Sequence, residues 1–414
     1  MIKRVRGTED VFNLQVELAL VDQMRGLLTQ HNFHEIALPL FESTDLFARS
    51  LGTSTDVVSK EMYTFAAAGG ESISLRPEAT ASTVRAFLEA GIQERPWKVF
   101  TYGPMFRHER PQKGRWRQFN QVSIESIGTE NILDDALFIR MLYFLFAQKL
   151  GLTQFTLYIN WLGTIEDREI FKKQLLAFLA SFQNQICETC QVRLTKNTLR
   201  IFDCKNQECQ KIYLQAPKLV DVLSQESRVQ WETIQKTLQN LGVSYKINAS
   251  LVRGLDYYSG IVFEFASDVL GAQSAFCGGG RYELASQLEG PVVPSIGAAV
   301  GVGRLLMLQE AEQKVIEPKK EVLITVLPLS KEQEQEAINF YTTLIDAGFC
   351  TEIVLGKNGM KQLFKKADQL KTDYVIIIGE QEVQTQKYVL KDMKTGEQET
   401  YAIDVLLQFL KKIL

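Results

Sequence analysis

The sequence predicts an α+β protein in two parts: a larger part of paired strands and helices interrupted by a helical insertion, then a small terminal α/β part. Three observations point there. Val99 to Phe106 and Arg115 to Ile127 read as two strands joined by a loop holding Pro111 and Gly114. From about 165 to 240 the texture turns helical and polar and carries four of the six cysteines. Past a charged, proline-containing stretch at 313–320, Val322–Leu327 and Tyr374–Gly379 are continuous apolar runs, the pattern of strands buried on both faces.

The elements follow in order. Residues 10–32 form an amphipathic helix pattern, with Leu18, Leu20, Val21, Met24, Leu27 and Leu28 recurring at helical spacing. Phe33 to Phe41 alternates and contains Pro39, which suits an edge or interface strand. Ile73–Leu75 is a short strand, Arg76-Pro77-Glu78 a break, and Ala79–Ala90 a helix. A strongly apolar helix runs from Asp134 to about Leu150, and Phe155–Ile159 is a strand. After the insertion, Ile261–Phe265 reads as strand, Cys277-Gly-Gly-Gly280-Arg281-Tyr282 follows, and Val302–Glu312 is helical. In the terminal part, Met360, Leu363, Phe364 and Ala367 share one helix face while Lys361 and Lys365 take another. Its order is strand-helix-strand-helix-strand.

Length and composition bound the function. A chain of 414 residues suggests two to four domains at roughly 100–200 residues each. Lys and Arg total 46 against 49 Asp and Glu, so any nucleic-acid contact must come from local patches. The N-terminus lacks the apolar run of a signal peptide, no stretch approaches the ~18 apolar residues of a membrane span, and the dispersed cysteines favour a reducing compartment. The expectation is a cytoplasmic protein with no membrane partner.

Between Lys98 and Arg117 the chain concentrates six cations and one acid. Read as a strand from Arg115, one face carries Arg115, Arg117, Phe119, Gln121, Ser123 and Glu125, and the other Trp116, Gln118, Asn120, Val122 and Ile124. A face of arginine, aromatic, amide and carboxylate suits a polar ligand, because buried polar groups need partners. Arg107 could bind phosphate, and Phe119 offers a ring to a base. Alone, the charged hairpin reads as a solvated surface, and the shared face of Phe119, Gln121 and Glu125 turns the reading to a ligand site. Arg253-Gly-Leu-Asp-Tyr-Tyr258 reads either as a ligand pocket or as a loop with structural aromatics. Gly297-Ala-Ala-Val-Gly-Val-Gly-Arg304 departs from the dinucleotide fingerprint, and close helix–strand packing explains its glycines. Cys187-x2-Cys190 and Cys204-x4-Cys209 admit a structural four-thiolate Zn2+ site, against the favoured alternative of reduced cysteines packed as small apolar residues. With three histidines in all, no histidine-based metal centre is expected.

In sequence order these segments resemble a histidyl-tRNA synthetase, a class II aminoacyl-tRNA synthetase, over nearly the whole chain. The resemblance runs through Arg6-Gly7-Thr8-Glu9-Asp10, a first class motif ending at Pro39, Lys60–Phe65, Leu75–Glu78, a second class motif around Arg107, the Arg253–Tyr258 string, and a third class motif ending in Arg304. It implies an antiparallel-sheet catalytic domain over 1–318, with its helical insertion at about 165–240, and an anticodon-binding α/β domain over 319–414. It implies ATP as substrate with Mg2+, L-histidine and histidine tRNA as partners, a histidyl-adenylate intermediate and a homodimer with the first motif at its interface. Arg107 and Arg253 would hold the α-phosphate as the catalytic cations, and Phe119 and Arg304 would sandwich adenine. Glu78, Ala79, Thr80, Arg107, Gln121, Glu125, Arg253, Tyr257 and Tyr258 match the histidine pocket. Arg110, Gln112 and Arg115 would meet the tRNA acceptor end. Two positions depart from the family: Gly303 stands where glutamate is usual, and Asn120 where histidine is usual. The rival that the resemblance brings is a non-catalytic synthetase-like regulatory subunit of ATP phosphoribosyltransferase, which generally lacks the terminal domain. A prolyl or threonyl enzyme is opposed by the Arg253–Tyr258 string.

Overall fold

The computed structural model describes residues 2–52, 55, 57–196, 198–204, 206–252, 257–318, 320–356 and 359–413. Arg253, the expected α-phosphate ligand, lies outside them. The chain divides into two compact units, Met1–Pro318 and Lys319–Leu414.

In the first unit the strands are β1 (His34–Glu35), β2 (Phe41–Ser43), β3 (Thr64–Ala66), β4 (Ser72–Leu75), β5 (Trp97–Phe106), β6 (Gln118–Ile127), β7 (Thr156–Trp161), β8 (Lys246–Ile247), β9 (Tyr258–Ala266), β10 (Ala275–Tyr282) and β11 (Ser295–Gly301). The helices are α1 (Leu14–Gln30), α2 (Thr44–Leu51), α3 (Thr80–Glu89), α4 (Ile132–Phe144), α5 (Ile165–Leu179), α6 (Glu188–Lys196), α7 (Gln207–Tyr213), α8 (Gln225–Asn240), α9 (Leu284–Gln287) and α10 (Val302–Ala311). The main sheet runs β1-β5-β6-β11-β10-β9-β7-β8; its interior pairs are antiparallel, and only the edge pairs β1–β5 and β7–β8 are parallel. The α+β, antiparallel expectation is met.

Local chemistry explains the main elements. On α1 the buried residues Leu20, Val21, Met24, Leu27 and Leu28 form one stripe, and Asn32 ends the helix in the left-handed region at φ 62°. The α4 helix starts at Asn131, whose side chain accepts from the Leu133 N–H. Val122 and Ile124 of β6 join the core, whereas Asn120 on the same face donates to Glu17 of α1 at 2.6 Å. Inside the insertion, Thr164 and Asp167 form a reciprocal cap on α5, and buried Asp167 also accepts from Ser224 N–H at 2.7 Å. The insertion shares the core of the first unit: Trp161 of β7 stacks on Trp231 of α8, ring centroids 6.0 Å apart.

The expected strand Phe33–Phe41 is instead broken into β1 and β2, which lie in different sheets. Pro39 offers no N–H to a ladder, and the buried Arg76 guanidinium takes the carbonyls of Leu38 and Pro39, at 3.3 and 3.5 Å, together with that of Pro104.

In the second unit, β12 (Ile324–Pro328), β13 (Thr351–Ile353), β14 (Tyr374–Ile378), β15 (Lys387–Asp392) and β16 (Gln398–Ala402) form a sheet ordered β13-β12-β14-β15-β16. The helices are α11 (Glu334–Asp346), α12 (Met360–Leu370), α13 (Glu380–Thr385) and α14 (Ile403–Ile413). The apolar run of β14 is buried on both faces: Ile376 and Ile378 pack with Phe340, Leu406 and Leu410, while Val375 and Ile377 pack with Leu363 and Ala367.

Candidate active site

The cavity forms where β6, β9, β10 and β11 run side by side, closed above by the loop 107–117. On β6, Phe119, Gln121 and Glu125 alternate onto one face as expected. The alternation starts at Gln118 and not at Arg115. Upstream, Gly114 turns at φ 73°, Gln112 and Arg115 exchange backbone hydrogen bonds, and the Arg117 N–H is taken by the Gly7 carbonyl at 2.7 Å. Trp116 therefore lies outside the strand: it was expected on the opposite face, and it lines the cavity, as does Asn120 from within β6.

About 990 Å³ of space is left unfilled by protein here, including the open mouth. One end is cationic. Arg107, Arg115 and Arg304 all line it. Arg107 donates to the Pro77 carbonyl at 2.9 Å and its guanidinium stands 5.6 Å from the Phe119 ring centre. Arg304, just inside the first turn of α10, donates to the carbonyls of Gly114 and Ala275, both at 2.7 Å. Burial, with Arg107 and Arg115 adding repulsion, pushes the Arg304 guanidinium down to about 10. Arg115, expected on the ligand face and at the tRNA acceptor end, also pairs with Glu109. Cations gathered at this cost mark a place for an anion.

The other end is a buried carboxylate pocket. Glu125 is 1 % exposed and accepts hydrogen bonds from Thr80 Oγ1 and Tyr282 Oη, each at 2.7 Å. Burial, with Glu78 adding repulsion, pushes its carboxyl up to about 8 even though those two donors favour its charged form. Glu78, 4 % exposed, accepts the N–H groups of Thr80 and Ala81 at 2.7 and 2.9 Å. Its carboxyl is also raised, by burial, with Arg107 among the groups that oppose the shift. Tyr257 and Tyr258 sit 4.6 Å apart, ring centre to centre, and line the cavity with Thr80. Gln121 Oε1 is buried with no hydrogen-bond partner among the described residues, an acceptor placed for a ligand N–H.

The floor is made of glycine. Along one cross-strand row, Glu125 pairs with Gly297 and Gly297 with Gly280. A Cβ at Gly297 would overlap the Glu125 carboxylate, so only glycine admits the acid there.

Ala79 was expected in the ligand set; it is buried at the N-terminal end of α3 and does not line the cavity. Arg110 and Gln112 stand exposed on the loop. Tyr282 and Trp116 line the cavity without having been anticipated. Tyr282 ends the glycine-rich string of β10, opposite Tyr258, and its position two residues beyond Gly280 was the available signal. Gly303 has a local counterpart: a Cβ there would meet the Trp116 ring at 3.1 Å, so the glycine makes room for the indole.

Comparison with known proteins converges on one family. The family described as histidyl-tRNA synthetase matches residues 13–305, and an anticodon binding domain matches 323–413. The chain is 39 % identical to a histidine–tRNA ligase of Halothermothrix orenii over the whole of both chains. It is 39 % identical to another from Thermodesulfovibrio yellowstonii, covering 99 % of this chain and 98 % of the relative. The crystal structure of apo S. aureus histidyl-tRNA synthetase superposes with a TM-score of 0.83 at 33 % identity, covering 99 % of each chain.

Proposed function

The chain belongs to the histidyl-tRNA synthetase family, and on that premise we propose how its cavity divides the reaction between ATP and histidine. The protein is an aminoacyl-tRNA synthetase that joins histidine to tRNA. The observation that carries the division is the mixed lining of one cavity: Arg107, Arg115 and Arg304 together with buried Glu78, and Thr80 and Tyr282, which hold Glu125 behind them.

The cationic end takes ATP. The adenine ring lies between Phe119 and Arg304, and Arg107 meets the α-phosphate; Arg253 joins it on the strength of the family motif. The histidine carboxylate attacks the α-phosphorus and pyrophosphate departs, leaving histidyl-adenylate. Charge builds on the phosphate oxygens as that bond forms, and guanidiniums already fixed by backbone carbonyls need no reorganisation to meet it. The cavity-lining carboxylates Glu78 and Glu109 are already engaged, by N–H groups and by Arg115. Mg2+ accompanying ATP would therefore be held chiefly by water and the substrate phosphates, whose charge it would offset.

The carboxylate end takes histidine. Gln121 Oε1 accepts a substrate N–H, and Glu125, Glu78, Thr80, Tyr257 and Tyr258 surround the ammonium and imidazole. Tyr282 belongs to this set through its bond to Glu125. A pocket built to hydrogen-bond its substrate rejects apolar analogues, whose binding would leave these groups unpaired.

The exposed Arg110 and Gln112 meet the acceptor end of histidine tRNA, and the second unit reads the anticodon. The anticodon domain match opposes the regulatory-subunit alternative. A homodimer through the first motif is supported by the exposed Leu40, Phe41 and Phe65. Among the described residues no helix is long and apolar enough to cross a membrane, and a cytoplasmic enzyme is proposed.

The test is histidine-dependent ATP–pyrophosphate exchange. Wild-type protein is expected to catalyse it, and Arg253→Ala to lower it about a hundredfold, the scale of one lost charge-stabilising group. Absence of exchange by the wild type would overturn the adenylate reading.

A further inference from the structure

We propose that the insertion holds a structural Zn2+ ion, bound by the thiolates of Cys187, Cys190, Cys204 and Cys209. From sequence alone, simple packing of reduced cysteines was the favoured reading, because the second spacing is wide. The fold changes the balance by bringing all four sulfurs together, each within 4.8 Å of every other. A tetrahedral zinc with Zn–S bonds of about 2.3 Å separates its sulfurs by about 3.8 Å. Cys187 Sγ and Cys204 Sγ already stand at 3.8 Å, so the remaining sulfurs need only small contractions.

Two of the sulfurs already accept backbone N–H groups. Cys204 Sγ accepts the N–H of Asn206 at 3.4 Å, and Cys209 Sγ accepts the N–H of Cys187 at 3.2 Å. Backbone N–H groups aimed at sulfur stabilise the deprotonated ligand and fix its direction, the role that outer-shell donors play around a metal. The Tyr213 hydroxyl is buried without a conventional hydrogen bond, with Cys190 and Cys209 as polar neighbours, and could donate to a metal-bound sulfur. The Asn206 side chain accepts from Cys209 N–H at 3.2 Å, which sets Cys209 on the first turn of α7. The two pairs come from separate turns, one at the start of α6 and one around α7, so a shared ion closes the loop between them. Four sulfur ligands without histidine or carboxylate, three of them buried, select zinc or iron over magnesium. With every position filled by protein, such an ion would have no open site for chemistry.

The experiment uses full-length protein purified without chelator, with metal content by mass spectrometry and thiol counting by an aromatic disulfide reagent. About one zinc per chain is expected. Of the six cysteines, the four in the cluster should stay unreactive until an organomercurial releases the ion. Cobalt substitution should give the visible ligand-field bands of a tetrahedral thiolate site. The double variant Cys187→Ser/Cys190→Ser should lose the metal, whereas Cys350→Ser should keep it. If the double variant does not fold, the wild-type metal and thiol counts decide alone. Metal-free wild type with four freely reacting thiols would overturn the proposal, as would disulfides within the cluster or iron in place of zinc.

Discussion

Replacing Glu125 by glutamine separates the charge of this side chain from its shape. In the native protein burial keeps the carboxyl protonated up to about pH 8, against 4.5 for an exposed glutamate. An unfolded chain releases that proton near its ordinary value, so between about 4.5 and about 8 the folded state binds more protons than the unfolded one. Stability therefore falls as pH rises through this window, by about 1.4 kcal/mol per unit. Glutamine cannot ionise and escapes the loss. Its amide keeps one acceptor and turns a donor toward the second hydroxyl, which can rotate to accept; a residual cost of about 1 kcal/mol is independent of pH. Asp135, raised to about 6 by burial despite its two 2.7 Å bonds to Arg281, titrates in both proteins and cancels. The stability difference between variant and native protein should thus open by about 3–4 kcal/mol in favour of glutamine between about pH 4.5 and 7.5. Urea unfolding across that range measures it. In the same variant the histidine KM should rise by about threefold to tenfold, the scale of one lost neutral hydrogen bond. Parallel unfolding curves from acid to neutral pH would show that Glu125 does not hold its proton, and the argument from burial would fail.

Three further outcomes follow from the same geometry. Gly297→Ala, whose new Cβ would overlap Glu125, should cost about 1–3 kcal/mol in stability and abolish histidine-dependent exchange; a functional, equally stable variant would refute the floor described above. Gly303→Glu should push Trp116 aside, raise the ATP KM about tenfold and shift the tryptophan emission, all of which Trp116→Ala in the same chain should mute. Ending the chain at Pro318 should leave pyrophosphate exchange intact and depress aminoacylation of tRNA; equal loss of both would count against the second unit as a tRNA-binding module.

How much of this was legible beforehand depended on whether the signal was local. The working face of β6 could be read because alternation needs only the strand itself, and Phe119, Gln121 and Glu125 do share it. Trp116 could not, because it precedes β6, in a segment whose Arg117 N–H is taken by Gly7, more than a hundred residues distant in sequence. The cavity floor depends on Gly280, Gly297 and Glu125 falling into one cross-strand row, and no single strand announces that register. The alternation put Asn120 on the face opposite the ligand side, and there it donates to Glu17 while also lining the cavity. The hairpin of β15 and β16 went unread because β16 is largely polar and exposed and the apolar run of β15 is only Tyr388 to Leu390. Leu406 and Leu410 of α14 did offer helical spacing, four residues apart on one buried stripe.

The fit of Glu125 against Gly297 also constrains how this site can evolve. Each residue is acceptable only in the presence of the other. Any side chain at 297 demands a shorter neighbour at 125, and a shorter acid leaves Thr80 and Tyr282 without their common acceptor. Neither position can drift alone, so a lineage exploring a different amino acid would cross a fitness valley at its first step. Such coupled sites hold their specificity by epistasis, and the pocket is guarded against gradual change by a residue that has no side chain at all.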